Sequence, residues 1–188
     1  MIILRSVIFL GVKEMRIETE RLIIRSIEKG DEKVFAEMAK DGSFDELGFD
    51  VNCSEWIDEW IDEAIALSEK DDPRVDYIPC TICLKENEEV IGNVGNTYYE
   101  DTKKIGIVYG VGAEFRKKGY TSEAVRAYLE YFFDHYKEDE IIATILADNV
   151  PSYKTAERSG FELIETKMYK DIYDDEERLY RFYAAKRK

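Results

Sequence analysis

Histidine occurs once in 188 residues, at His135, and proline and cysteine three times each. A lone histidine argues against a Ser-His-Asp triad. It also leaves Cys80-x-x-Cys83 as half of a zinc site with no second pair to complete it. An odd cysteine count, Cys53 being the third, does not make a disulfide scaffold. The plainer reading of Cys80 and Cys83 is two small residues on a strand, so no metal is expected. Pro73, Pro79 and Pro151 each fall where an element should begin or end, and no repeat or low-complexity linker divides the chain. No apolar run approaches the ~18 residues of a membrane span. The longest, Val7 to Val12, ends at Lys13 and Glu14, and no small-residue cleavage site follows it. A cytoplasmic protein is therefore expected. Positive charge is scarce too: 27 Lys and Arg face 41 Asp and Glu, a formal net charge of −14. That argues against nucleic acid or an anionic membrane as partner, since both need a basic face.

Apolar residues are plentiful at 45%, with thirteen Tyr and nine Phe, enough for one packed core. Residues 1–14 show no clear period and read as an N-terminal extension; residues 15–188 read as one domain. Met15 to Arg25 reads as a first strand. Asp31 is placed to cap a helix running to about Lys40, and Ser54 to cap a second. Trp56, Ile57, Trp60, Ile61, Ala64 and Ile65 line one face of that second helix. Tyr77–Leu84 and Glu89–Tyr99 read as strands joined by a polar turn, and Ile105–Val111 as the next strand. A helix from Thr121 carries Ala124, Val125, Tyr128, Leu129, Phe132, Phe133 and Tyr136 on one stripe. Ile141–Ala147 is a continuous apolar run, as in a central strand covered on both faces. A short helix from Ser152 stops at Gly160, and two strands, Phe161–Tyr169 and Leu179–Ala185, flank an acidic turn. The strand–helix–strand unit from Ile105 to Ala147 makes two strands parallel. The expected class is α/β, a mixed sheet with helices on both faces.

The stretch between the Ile105 strand and the Thr121 helix carries most of the chemistry. Arg116, Lys117 and Lys118 bring positive charge, Gly119 permits positive φ, and Thr121 can cap the helix. Free N–H groups there form an anion site suited to a pyrophosphate. The spacing fits neither a Walker loop nor a Rossmann turn.

Arg116-Lys117-Lys118-Gly119-Tyr120-Thr121 resembles the acetyl-CoA signature of the GNAT N-acetyltransferases, Gln/Arg-x-x-Gly-x-Gly/Ala. The wider run Phe115 to Ala124, the opening Glu18-Thr-Glu-Arg-Leu-Ile-Ile-Arg25, and Asn149-Val-Pro-Ser152 with Gly160-Phe161 resemble the RimJ/RimL-like branch, which acetylates ribosomal-protein N-termini. Thr121 stands where a small residue is usual, and Lys117 where many relatives have glycine.

The resemblance implies a GNAT fold whose central sheet splays between the Ile105 and Ile141 strands. It implies acetyl-CoA as co-substrate, its arm along Tyr109, Gly110 and Val111 and its phosphates on Arg116, Lys117, Lys118, Gly119, Tyr120 and Thr121. Asn149, Ser152 and Tyr153 are expected beside the pantetheine. It implies direct attack by a primary amine, a protein N-terminus or a small cationic amine, without a covalent enzyme intermediate. Many relatives take their acid from a tyrosine at the position of Ala156; here Ser152 is the expected acid, and an N-cap role fits it equally. Asp171 is the expected base, with Glu100, Asp101 or a water path as alternatives. Residues 31–72 hold fifteen acidic and three basic residues, a wall that either attracts a cationic acceptor or merely keeps the chain soluble. Exposed C-terminal strands can support a homodimer. A GNAT-fold acyl-CoA-binding regulator without turnover is the alternative.

Overall fold

The computed structural model describes residues 3–4, 7–9, 12–42, 44–45, 48–171 and 174–188. Among these, the strands and helices run β1 (Ile3–Leu4), β2 (Val7–Phe9), β3 (Val12–Glu14), β4 (Arg16–Glu18), β5 (Leu22–Ser26), α1 (Asp31–Ala39), α2 (Ile57–Lys70), β6 (Tyr77–Leu84), β7 (Val90–Tyr99), β8 (Lys104–Val111), α3 (Tyr120–Tyr136), β9 (Glu140–Leu146), α4 (Val150–Arg158), β10 (Glu162–Tyr169) and β11 (Arg178–Lys186). One mixed sheet has the order β1-β4-β5-β6-β7-β8-β9-β11-β10, eight strands without the two-residue β1. Among the described residues only β8 and β9 pair in parallel; β2 and β3 pair separately. No helix among the described residues is long and apolar enough to cross a membrane.

Two cores sandwich the sheet. Ile105, Ile107, Ile141 and Ala143 face Ala124, Tyr128 and Phe132 of α3 and Ala156 of α4. On the other face Ile27, Phe35, Phe44, Phe49, Ile57 and Ile61 pack under α1 and α2, with Trp60 stacked on Tyr77 at 5.7 Å. Cys80 and Cys83 lie buried in β6 as free thiols, and burial pushes both thiols up. Their odd spacing sends them to opposite faces of the strand.

Several local expectations are corrected. Met15–Arg25 is not one strand but the hairpin β4–β5. Thr19 supplies the turn: its N–H donates to the Leu22 carbonyl at 2.9 Å and its Oγ1 accepts from the Leu22 N–H at 2.9 Å. Gly30, at φ 108°, occupies the cap of α1 instead of Asp31. Asp31 turns inward and accepts from Arg25 at 2.7 and 2.8 Å and from the Thr81 hydroxyl at 2.6 Å, satisfying a carboxylate that is 3% exposed. Ser54 lies in a 3-10 turn ahead of α2, which starts from Trp56. Gly119 rather than Thr121 caps α3, and Asn149 rather than Ser152 caps α4, its Oδ1 accepting from the Ser152 N–H at 3.1 Å. Gly160 does end α4 in the left-handed region, at φ 101°.

β9 is the correction that bears on function. Ile141, Ala143 and Ile145 are buried, but Glu140, Ile142, Thr144 and Leu146 are only half-buried. α4 packs on one face of this strand and α3 on the same face of β5, β7 and β8, whereas α1 and α2 lie over β7 and β6. The sheet beyond β8 therefore keeps an open face.

Candidate functional site

β8 and β9 are in register at a single pair, Gly106 with Ile142, although β8 continues to Val111 and β9 to Leu146. The other edge of β8 stays laddered to β7 along its length, from Tyr99–Lys104 to Gly92–Val111. The parting is therefore one-sided, and it leaves Tyr109, Gly110 and Val111 beside a gap at the C-terminal end of the parallel strands. Such a crevice is where ligands bind in open α/β sheets.

From Val111 the chain passes a 3-10 turn, Ala113–Phe115, and the exposed run Arg116 to Gly119 into α3. Lys117 (φ 61°) and Gly119 (φ 83°) are both left-handed. Residues alternating in this way turn successive N–H groups toward one concave side. The first helical bond runs from the Glu123 N–H to the Gly119 carbonyl, so the amides of Tyr120, Thr121 and Ser122 precede the ladder. The positive end of a seventeen-residue helix adds to their field. A Cβ on Gly119 would meet only Arg21 Nη2, at 3.4 Å, so φ rather than space favours glycine there.

Across the gap, Tyr109 reaches the first turn of α4. Its hydroxyl donates to the Ser152 carbonyl at 3.0 Å, and Ser152 Oγ donates to the Tyr109 oxygen at 3.2 Å. Burial pushes the Tyr109 phenol up to about 12 against the opposing Ser152 hydrogen bond, so it stays protonated at neutral pH. Tyr153 lies next in α4 with the Arg181 guanidinium 4.4 Å from its ring centroid. Ala156 is fully buried and offers no hydroxyl.

Asp171 follows β10 on the opposite face. Its N–H donates to Asp174 Oδ2 at 3.2 Å. The phenols it influences are Tyr99, Tyr169 and Tyr180. Tyr99 lies against Gly106, where a Cβ would come within 2.3 Å of its ring, and bonds Thr144 of β9. The register puts Tyr99, Thr144 and Phe182 on the open face, and Tyr109 with Ile107 on the α3–α4 face. Ser152 thus lies across the gap from Tyr109, whereas Asp171 lies near the phenols of Tyr99, Tyr169 and Tyr180. Of the other carboxylates considered, Glu100 pairs with Lys103 and Asp101 accepts from the Tyr169 hydroxyl at 3.0 Å.

Residues 21–162 match the family model for the acetyltransferase (GNAT) domain. The chain belongs to the GNAT acetyltransferases. It is 30% identical over 152 residues to the uncharacterized N-acetyltransferase YnaD of Bacillus subtilis, covering 78% of this chain and 82% of that protein. Its fold is similar to the ribosomal L7/L12 alpha-N-protein acetyltransferase RimL (TM-score 0.78, 15% identity, 97% of this chain and 99% of that one). It is also similar to the microcin C7 self-immunity acetyltransferase MccE, solved with acetyl-CoA and AMP (TM-score 0.74, 16% identity, 89% and 93% of the two chains).

In this GNAT enzyme the basic loop is held by two residues that sequence reasoning missed. Arg21, in the β4–β5 turn, donates through Nη1 to the Lys118 carbonyl at 3.0 Å and lies 4.6 Å from the Tyr120 ring centroid. Glu123, in the first turn of α3, accepts from the Thr19 hydroxyl at 2.6 Å, the Arg21 N–H at 3.0 Å and Arg21 Nε at 2.8 Å. Burial opposes its ionisation, but these donors hold its carboxyl below the usual carboxylate range. The opening hairpin is thereby stapled to the loop.

Proposed function

We propose that this enzyme acetylates a primary amine with acetyl-CoA, and that it is a cytoplasmic member of the RimJ/RimL-like branch. The observation that carries the reading is the parting of β8 from β9 beyond Gly106 and Ile142, next to the amides that open α3. The residues present fit the co-substrate. Backbone N–H groups from Lys117 to Thr121, with the charges of Arg116, Lys117 and Lys118, suit a diphosphate. Main-chain groups of Tyr109, Gly110 and Val111 line the gap for a pantetheine arm, with Asn149 and Tyr153 at its far side.

The chemistry asked of the protein is modest. The amine nitrogen bonds to the thioester carbonyl carbon, and the carbon–sulfur bond breaks to give an amide and a thiol. One proton leaves the nitrogen for Asp171, directly or through water, and one reaches the departing sulfur from Ser152 Oγ. Tyr109, already within 3.2 Å of that oxygen and protonated at neutral pH, orients the serine and can return a proton to it. The acceptor approaches over the open face, where Asp171 lies. In the same reading residues 1–14 are an extension of a domain spanning 15–188. Edge strand β10, with Leu163 and Ile164 exposed, supports a homodimer.

An assay of free thiol release with a panel of amines tests the reading. The expected result is thiol formed in step with loss of primary amine. A protein stabilised thermally by acetyl-CoA that releases no thiol with any amine contradicts it.

A further inference from the structure

The fold leaves one buried polar atom over. On the α1–α2 face of the sheet, Arg25 of β5, Thr81 of β6, Asn93 of β7 and Gly110 of β8 stand in cross-strand register. The row runs from α1 to the edge of the gap. Its first half is satisfied, because the Asp31 carboxylate accepts from both Arg25 and the Thr81 hydroxyl. Its second half is not. Asn93 is 5% exposed, and its Oδ1 has no hydrogen-bond partner among the described residues. A buried amide oxygen without a partner costs stability, and native proteins seldom carry one without a use for it.

The surroundings of Asn93 turn that oxygen toward the reaction. Gly110, its neighbour on β8, puts no side chain between Asn93 and the gap. Gly95, two residues along β7 and so on the same face, adds none either. β7 lies at the edge of the cover that α1 and α2 provide, next to the open face over which the acceptor approaches. Tyr109, which holds Ser152, pairs with Val94 and points to the α3–α4 face, opposite to Asn93. A thioester in the gap would have the proton source for its sulfur on one face and Asn93 on the other.

We propose that Asn93 Oδ1 accepts an N–H of the attacking amine, and that this bond makes the enzyme selective for primary over secondary amines. The proposal rests on the acetyltransferase reading and deepens its acceptor side. A neutral primary amine carries two N–H groups. One proton leaves as the nitrogen bonds to carbon and the thiol departs, and the product amide keeps the other. The bond to Asn93 therefore lasts from bound amine to product. A neutral secondary amine carries one N–H and ends as an amide with none, which leaves Oδ1 unpaired again. A site that hydrogen-bonds its substrate rejects an analogue lacking the donor strongly.

Three measurements test it, two of them independent of turnover. Asn93→Leu, nearly isosteric and without the amide, is expected to raise the Tm of the ligand-free protein by about 1–5 °C, because it removes an unpaired buried oxygen. If that variant does not fold, Asn93→Ala takes its place in the two measurements that follow. n-Butylammonium and n-butyltrimethylammonium, which has no N–H, are titrated calorimetrically into CoA-loaded protein. The native chain is expected to bind the first roughly tenfold more tightly, and Asn93→Leu to bind the two within about threefold of each other. With acetyl-CoA, the ratio of kcat/KM for n-butylamine to that for N-methylbutylamine is expected to fall roughly tenfold or more in Asn93→Leu. Asn93→Asp, which keeps an acceptor oxygen, is expected to retain most of that ratio. A lowered Tm in Asn93→Leu with both preferences kept makes Asn93 a structural residue and overturns the proposal, leaving the acetyltransferase reading standing. Native protein that binds the two probes alike, or neither, while still acetylating amines overturns it equally. A preference for the N–H probe that Asn93→Leu abolishes, with no amine acetylated, supports the Asn93 contact and removes that reading instead.

Discussion

The two sides of the β8–β9 gap are made of different materials. On one side lie Tyr109 to Val111 and Arg116 to Thr121, nearly contiguous in sequence, acting through main-chain amides and basic charge. On the other lie Tyr99, Asp101, Thr144, Tyr169, Asp171 and Phe182, drawn from separate strands and turns and acting through rings and carboxylates. A site for a fixed ligand such as coenzyme A can be written in backbone geometry, which tolerates side-chain change. A site that selects among acceptors must be written in side chains. In the proposed function, the opposed signs keep an anionic co-substrate apart from an amine acceptor until they meet.

Substitutions on each side should break different functions. The largest effect is expected from Gly119→Val, which forces a β-branched residue to φ 83°. Strain of about 1–3 kcal/mol there should weaken CoA binding by roughly ten- to a hundredfold in a calorimetric titration, with amine KM little changed. Ser152→Ala should lower kcat by about a hundredfold with CoA affinity kept, which single-turnover measurement can resolve. Unchanged turnover would return Ser152 to the first turn of α4 as a structural residue. Raising salt sharpens the contrast further. Between about 50 and 300 mM NaCl, kcat/KM for a diamine should fall several-fold more than for a monoamine, because long-range attraction to the acidic wall is screened.

How far these two sides were legible from sequence follows from the same contrast. Strand β6 runs over Tyr77–Leu84 as its residues and the polar turn after it predict, and the basic loop falls where Arg116 to Thr121 suggest. Both signals are local. The β4–β5 turn was invisible because Glu18-Thr-Glu contains no glycine, proline or asparagine; a threonine hydroxyl substitutes for them. Gly30 and Gly119 displace polar neighbours from the cap position, because the incoming chain must arrive in a left-handed conformation. The run Ile141–Ala147 suggested cover on both faces, but apolarity alone does not say that α1 and α2 stop over β7. The Arg21–Glu123 pair spans 102 residues, and no periodicity encodes such a contact.

That staple yields the smallest of the expected effects. Glu123 is held below the ordinary carboxylate value of 4.5, so its contribution to stability is fully present above that pH and is lost as pH falls through the lowered folded-state value. Glu123→Gln should lower Tm at pH 7 by about 3 °C, equivalent to about 1 kcal/mol, and flatten the acid limb of a Tm-versus-pH curve. A Tm difference that does not narrow between pH 6 and pH 3 would show that the ion pair is not what holds the loop.

Hydrogen exchange of the intact protein with and without acetyl-CoA tests the central claim most directly. Slowed exchange is predicted at the amides of Lys117 to Ser122 and of Tyr109 to Val111, with β4–β6 unaffected. Protection confined to other segments, or none at saturating acetyl-CoA, would contradict the assignment of this gap and loop as the acyl-donor site.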